Sequence, residues 1–248
     1  MKKWVFGLLL VFTVSIYQVQ DVSCLNRGEI ETEVRLKIKD SNSDVNRRKF
    51  SSAQLDTVIK VAQLKIAELT NCISSTTYID TYADTATYTL PSNILMIYRV
   101  SYLIEDTTGT YKTIDRVKDF FSLDAKNKFW EQDSSGEPER YFTWGNQIKF
   151  NPALSNDFQR TDGIKIDCYL KPNTMTSDSD VPFNGITNLY IYHDLIVYYV
   201  CGWCFEYMGD LNTAQYYNTQ YMNGLSLIMG MNQRPGWFPD MRYSLTPP

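Results

Sequence analysis

Between Asn188 and Met231 the apolar positions recur at helical spacing and predict two antiparallel helices. The first carries no charge between Asp194 and Glu206. A helix that is apolar around its whole circumference has to be covered on every side. The uncharged run is too short for a bilayer, which needs ~20 residues. It is therefore expected in the middle of a bundle, or on a bundle face closed by a neighbouring chain. The second helix starts near Asp210 and puts Ala214, Tyr217, Tyr221, Leu225 and Ile228 on one face, with Gly230 and Pro235 as its end signals.

A matching pair is expected near the other end. Arg27–Lys39 is charged and helix-compatible, with Ile30, Val34 and Ile38 on one stripe, and Asp40–Asn46 is a polar loop. Ser51 and Gln54 then form a capping box, with Phe50 and Leu55 as its hydrophobic staple. Leu55, Val58, Ile59, Ala62, Ile66 and Leu69 continue at spacings of three and four, predicting an amphipathic helix that ends near Asn71.

The middle of the chain alternates instead. Strands are expected over Thr76–Tyr82, Ala86–Leu90, Ile94–Ile104, Tyr111–Ile114, Arg140–Trp144, Gln147–Phe150 and Ile164–Leu170, with Gly145-Asn146 as a tight turn. Val117–Leu123 reads as a helical turn and Asn173–Asp180 as a polar connector. The expected class is α+β: a helical bundle of about four helices, a β-rich insertion between the two helical pairs, and an extended C-terminal tail. Residues 25–231 form the single domain and 232–248 an arm. The arm holds Trp237, Phe238, Pro239 and Tyr243, aromatics it cannot bury by itself. With Trp130 they are the candidate interface residues. Residues 1–24 open with Lys2-Lys3 and the apolar run Trp4–Ile16, the layout of a signal peptide or of a retained hydrophobic helix.

Composition narrows the function. The net charge is −4, from 24 basic and 28 acidic residues. That balance disfavours gripping nucleic acid, which takes clustered Lys and Arg, and suits a conduit that repels DNA. Eighteen Tyr and five Trp suit surfaces that become interfaces. One histidine, His193, excludes His-rich metal sites. The five cysteines have no framework spacing and read as reduced, buried thiols. Cys201-Gly202-Trp203-Cys204 is a C-x-x-C, but it lies mid-helix with no strand before it, where a redox pair would want a helix N-terminus. His193-Asp194 reads as a helix start, and Asp178-Ser179-Asp180 lacks the rest of a calcium loop. No catalytic set, cofactor site or metal site is expected.

The ordered pattern of these segments resembles the head-to-tail adaptor (connector) proteins of short-tailed bacteriophages. The marks run from Phe50-Ser51-Ser52-Ala53-Gln54-Leu55 and Ala67-Glu68-Leu69 through Tyr88-Thr89-Leu90-Pro91 and Ile97-Tyr98-Arg99-Val100. They continue with Trp130, Ser135-Gly136-Glu137-Pro138, Tyr141, Ile148–Pro152 and Ile166–Pro172. They end with His193–Tyr199, Gly209-Asp210, Ala214-Gln215-Tyr216-Tyr217 and Tyr221. The resemblance implies a non-enzymatic virion protein of the neck and tail, assembled in the host cytoplasm. It implies a homo-oligomeric ring, expected to be a dodecamer, bound to the portal protein and to tail or nozzle proteins. DNA would pass through it without sequence-specific binding. The N-terminal run keeps a second expectation open, an exported cell-surface or periplasmic binding protein.

Overall fold

The computed structural model describes residues 24–105, 107–117 and 134–232. The fold is mixed α+β, with four helices and two sheets among these residues. Helix α1 spans Arg27–Lys37 and α2 spans Ser52–Thr70. Both begin with reciprocal side-chain caps that satisfy otherwise orphaned N–H groups. Asn26 accepts the Glu29 N–H at 2.9 Å while Glu29 accepts the Asn26 N–H at 2.8 Å. Ser51 and Gln54 do the same for α2 at 3.2 and 2.9 Å. Asn71, in the left-handed region, ends α2.

Eight strands follow in sequence. They are β1 (Ser74–Ile79), β2 (Thr85–Thr89), β3 (Ile94–Glu105), β4 (Thr110–Thr113), β5 (Asp115–Arg116), β6 (Arg140–Trp144), β7 (Gln147–Leu154) and β8 (Ile164–Leu170). One sheet has the order β1-β8-β3-β4 and is antiparallel throughout. The other is β2-β7-β6-β5, with β5 parallel to β6. Inward residues of both sheets, among them Val100, Tyr102, Tyr141, Ile148, Phe150 and Ile166, meet in one apolar cluster.

The chain then returns to helix. A 3-10 segment, Thr187–Tyr192, leads into α3 (His193–Tyr207), and α4 is Leu211–Asn232. All four helices contribute to a second cluster, including Ile30, Val34, Phe50, Ile59, Ile196, Val200 and Leu225. None of the residues Leu195–Phe205 is exposed, so the uncharged stretch of α3 is covered within its own chain by α1, α2 and α4. Leu170 packs against both clusters, and its N–H bonds the Ile73 carbonyl at 2.8 Å.

Several boundaries differ from expectation. Strand β7 continues past Phe150 to Leu154. A register shift opposite Thr85–Thr87 takes residues 150–153 out of the ladder with β2, so the missing N–H of Pro152 forfeits no bond there. Helix α4 runs through Gly230 to Asn232, because an isolated glycine lowers helix propensity by only about 1 kcal/mol. Residues 173–180 are more than a connector. Met175 is buried, and the Asp178 and Asp180 carbonyls accept the Gly28 and Arg27 N–H groups, holding the start of α1. Strand β5 was not expected. The Val117–Leu123 turn lies, beyond Val117, outside the described residues. Among the described residues no helix is long and apolar enough to cross a membrane.

Candidate functional site

The residues with chemical potential sit in structural roles. His193 opens α3 and is 1% exposed. Its Nδ1 accepts the Leu25 N–H at 3.0 Å, and its ring stacks on Phe183 with centroids 6.1 Å apart. Burial lowers its pKa to about 4, so it is neutral near pH 7. No described protein atom partners Nε2. Asp194 is exposed beside it and takes no part in that bond.

Cys201 and Cys204 are fully buried in the helical cluster, and burial pushes both thiols up to about 12. The thiolate is the nucleophile and the metal ligand, and neither residue is poised to form it. Cys168 is buried among the sheets, while Cys24 and Cys72 are half-buried; none of the five forms a disulfide. The Asp178–Asp180 loop is built around α1. Asp178 pairs with Arg27, and the Asp180 carboxylate accepts the Thr176 and Ser177 N–H groups at 2.6 and 2.8 Å. Those bonds, that from Ser177 foremost, hold Asp180 below the usual carboxylate range. Among the described residues no group of three or more His, Cys, Asp or Glu is placed to hold a metal ion.

What remains is surface. Helix α4 contains no Asp, Glu, Lys, Arg or His from Leu211 to Asn232. Its buried face carries Ala214, Tyr221, Leu225 and Ile228, with Tyr217 partly buried, as the spacing predicted. Its outer face presents Leu211 (68% exposed), Tyr216, Met222 (56%), Leu227 (63%) and Met229, interleaved with Asn212, Gln215 and Asn223. A groove of about 330 Å³ runs beside this face, between Glu206 and Met222. Exposed Leu, Met and Tyr without charge is the composition of an interface core, where Lys, Glu and Asp are depleted. Sequence reading found the inward face of α4 and missed the outward one. The signal was available in the absence of any charge over six turns.

A second groove, about 380 Å³, lies on the outer face of the first sheet and is lined by Ser74, Thr76, Tyr98, Arg99, Asp167 and Tyr169. Here Asp167 is taken up by neighbouring strands. It accepts the Thr76 hydroxyl at 2.8 Å and pairs with Arg99 at 2.6 Å. Of the expected interface residues, Trp130, Trp237, Phe238, Pro239 and Tyr243 all lie outside the described residues.

The histidine and three of the five thiols are thus buried, while α4 turns an uncharged, partly apolar face to solvent. Among curated proteins nothing matches this chain. A family model described as SU10 adaptor protein matches residues 25–243, a span that includes all four helices and both sheets. The chain therefore belongs to the SU10 adaptor protein family, and is a structural phage adaptor protein.

Proposed function

We propose that this chain is a head-to-tail adaptor. Its copies form a ring, expected to be a dodecamer, beneath the portal protein, extend the DNA channel and give tail or nozzle proteins their docking platform. The observation that carries this reading is the family match across residues 25–243. The mildly acidic balance supports it, because a lining without clustered cations lets DNA slide past. The buried thiols and buried imidazole support a role in contact rather than turnover.

In this reading residues 25–231 are one unit. The four helices close as a bundle, the eight strands are an insertion between helical pairs, and 232–248 is an arm. Trp237, Phe238, Pro239 and Tyr243 of the arm, with Trp130, contact neighbouring virion proteins. Imaging native particles by electron cryo-microscopy tests the proposal. A ring of this chain between portal and tail is expected, and its absence from particles would overturn the reading. Replacing Trp237 and Phe238 by Ala is expected to lower the fraction of tailed particles, with head assembly unchanged. The apolar run Trp4–Ile16 favours one competing reading, an exported binding protein. Mass spectrometry of the mature N-terminus separates the two, since an export product begins near Leu25.

A further inference from the structure

The exposed apolar residues of α4 fall on two lines. Leu211, Met222 and Met229 are separated by about three and two full turns at 3.6 residues per turn, so they stand on one line. Leu211 and Met222 also line the groove beside the helix. Tyr216 and Leu227 lie about 140° round the helix from that line. Among the described residues lining the groove the one charge is Glu206, whose carboxylate accepts the Asn218 amide at 2.8 Å.

The sequence that follows α4 carries a matching pattern. Residues 233–248 begin where the helix ends. Arg234-Pro235-Gly236-Trp237 has proline and glycine at the two central positions that a chain-reversing type II turn favours. From there Trp237, Pro239, Met241, Tyr243 and Leu245 alternate with residues that, Phe238 apart, are polar: Asp240, Arg242, Ser244 and Thr246. Extended chain of this kind has one apolar edge and one polar edge. The lengths agree as well. Trp237 to Leu245 spans about 26 Å extended at 3.3 Å per residue. Met229 to Leu211 spans about 27 Å of helix at 1.5 Å per residue.

We infer that in the free chain residues 237–245 lie extended and antiparallel along the groove side of their own α4. In this register Trp237 seats near Met229, Met241 near Met222 and Leu245 near Leu211. The same register brings Arg242 level with Asn218 and its partner Glu206, a cation beside the groove's one carboxylate. The occupant is the chain's own arm because a tether of a few residues holds it at about millimolar effective concentration, whereas a second copy must be met by diffusion. The seat is a property of the free chain. Contacts of the same aromatics with neighbouring virion proteins require the arm to leave it.

Thiol labelling of the full chain tests the seat. Met222→Cys places a thiol on the groove line and Leu227→Cys places one off it. Each is read by alkylation and peptide mass spectrometry, with circular dichroism to verify folding, and Gln215→Cys replaces Met222→Cys if that variant fails to fold. Adding Trp237→Asp, Met241→Asp and Leu245→Asp together should speed labelling at position 222 by at least about tenfold, because opening of the arm then no longer limits access. Labelling at position 227 should be equally fast with and without those three changes. Ser244→Asp with Thr246→Asp, on the polar edge, should leave position 222 protected. The protection should persist on dilution, and Leu211→Cys with Leu245→Cys should oxidise to a disulfide within one chain, mapped from the monomer band of a non-reducing gel. Unprotected labelling at position 222, protection that survives the three Asp changes, or failure of that disulfide to form would overturn the proposal. Protection lost on dilution, or a disulfide that joins two chains, would overturn it in favour of an arm exchanged between copies.

Discussion

His193 ties the lead-in of α1 to the start of α3 through one hydrogen bond, and only the neutral ring can make it. Nδ1 must carry a lone pair to accept the Leu25 N–H. Its native pKa of about 4 lies below the ordinary 6.5. Between those values the unfolded chain binds a proton that the folded chain does not. Stability is therefore full above pH 6.5, falls as pH drops through that window, and levels off below about 4. The full loss is about 3 kcal/mol at 1.36 kcal/mol per unit. Denaturant titrations from pH 7.5 to 4 should show it, and His193→Gln should flatten the slope over this range. The other demanding residue pair is Arg35 and Asp40, each about 5% exposed or less. Arg35 donates to Asp40 at 3.1 Å and to the Phe50 carbonyl at 3.1 Å, and it pairs with Glu31 at 2.9 Å. Asp40 accepts the Lys49 and Phe50 N–H groups at 2.7 and 3.2 Å, folding the loop back onto the cap of α2. Asp40→Ala would leave Arg35 paired with Glu31 but remove its second carboxylate and the acceptor of the Lys49 and Phe50 N–H groups, and should cost about 2–3 kcal/mol by chemical denaturation. From sequence, Asp40 was one polar residue in a polar loop. Only the third dimension brings it under Arg35.

At the scale of elements, α3 and α4 come close because two positions lack side chains. A Cβ on Gly224 would lie 2.3 Å from Leu195 Cδ2, and one on Gly202 would lie 2.4 Å from Asn218 Oδ1. Tyr217 stacks on Phe205 with centroids 5.5 Å apart, and Tyr221 meets Tyr199 edge-on at 5.3 Å, so the seam is aromatic on either side of these gaps. Gly224→Leu should force the helices apart and destabilise the chain by about 1–3 kcal/mol through overpacking, read as a lower melting temperature. Element starts were legible where a local rule sets them. The Ser51–Gln54 capping box, the Phe50–Leu55 staple and the Gly145-Asn146 turn each need only neighbouring residues. Ends were less legible, because partners far along the chain decide them. Strand β7 keeps its last residues through the bonds between Gly136 and Ala153 and between Gly136 and Ser155. Helix α4 outlasts Gly230, since Leu225 and Ile228 are buried before it. Two-residue β5 has no periodicity to detect.

For the whole molecule, the decisive feature is that the chain builds two apolar clusters joined at Leu170. The uncharged stretch of α3, which the sequence left free to be shared between copies, is consumed inside one of them. The uncharged, partly apolar surface that stays exposed is the outer face of α4. Each cluster also contains its own buried thiols: Cys168 lies among the sheets, and Cys201 and Cys204 lie among the helices. Leu170 packs against both clusters and its N–H bonds the Ile73 carbonyl, and separate packed units of one fold can open at different stabilities, so the two need not melt together. Thiol labelling in graded denaturant should therefore expose Cys168 and the Cys201–Cys204 pair at different midpoints, with Cys24 and Cys72 reacting earlier. Leu170→Ala should widen the gap between those midpoints, because it removes the side chain that both clusters bury. Coincident midpoints in the native chain, unmoved by that substitution, would instead make it one cooperative unit whose sheets and helices stabilise each other through contacts beyond Leu170.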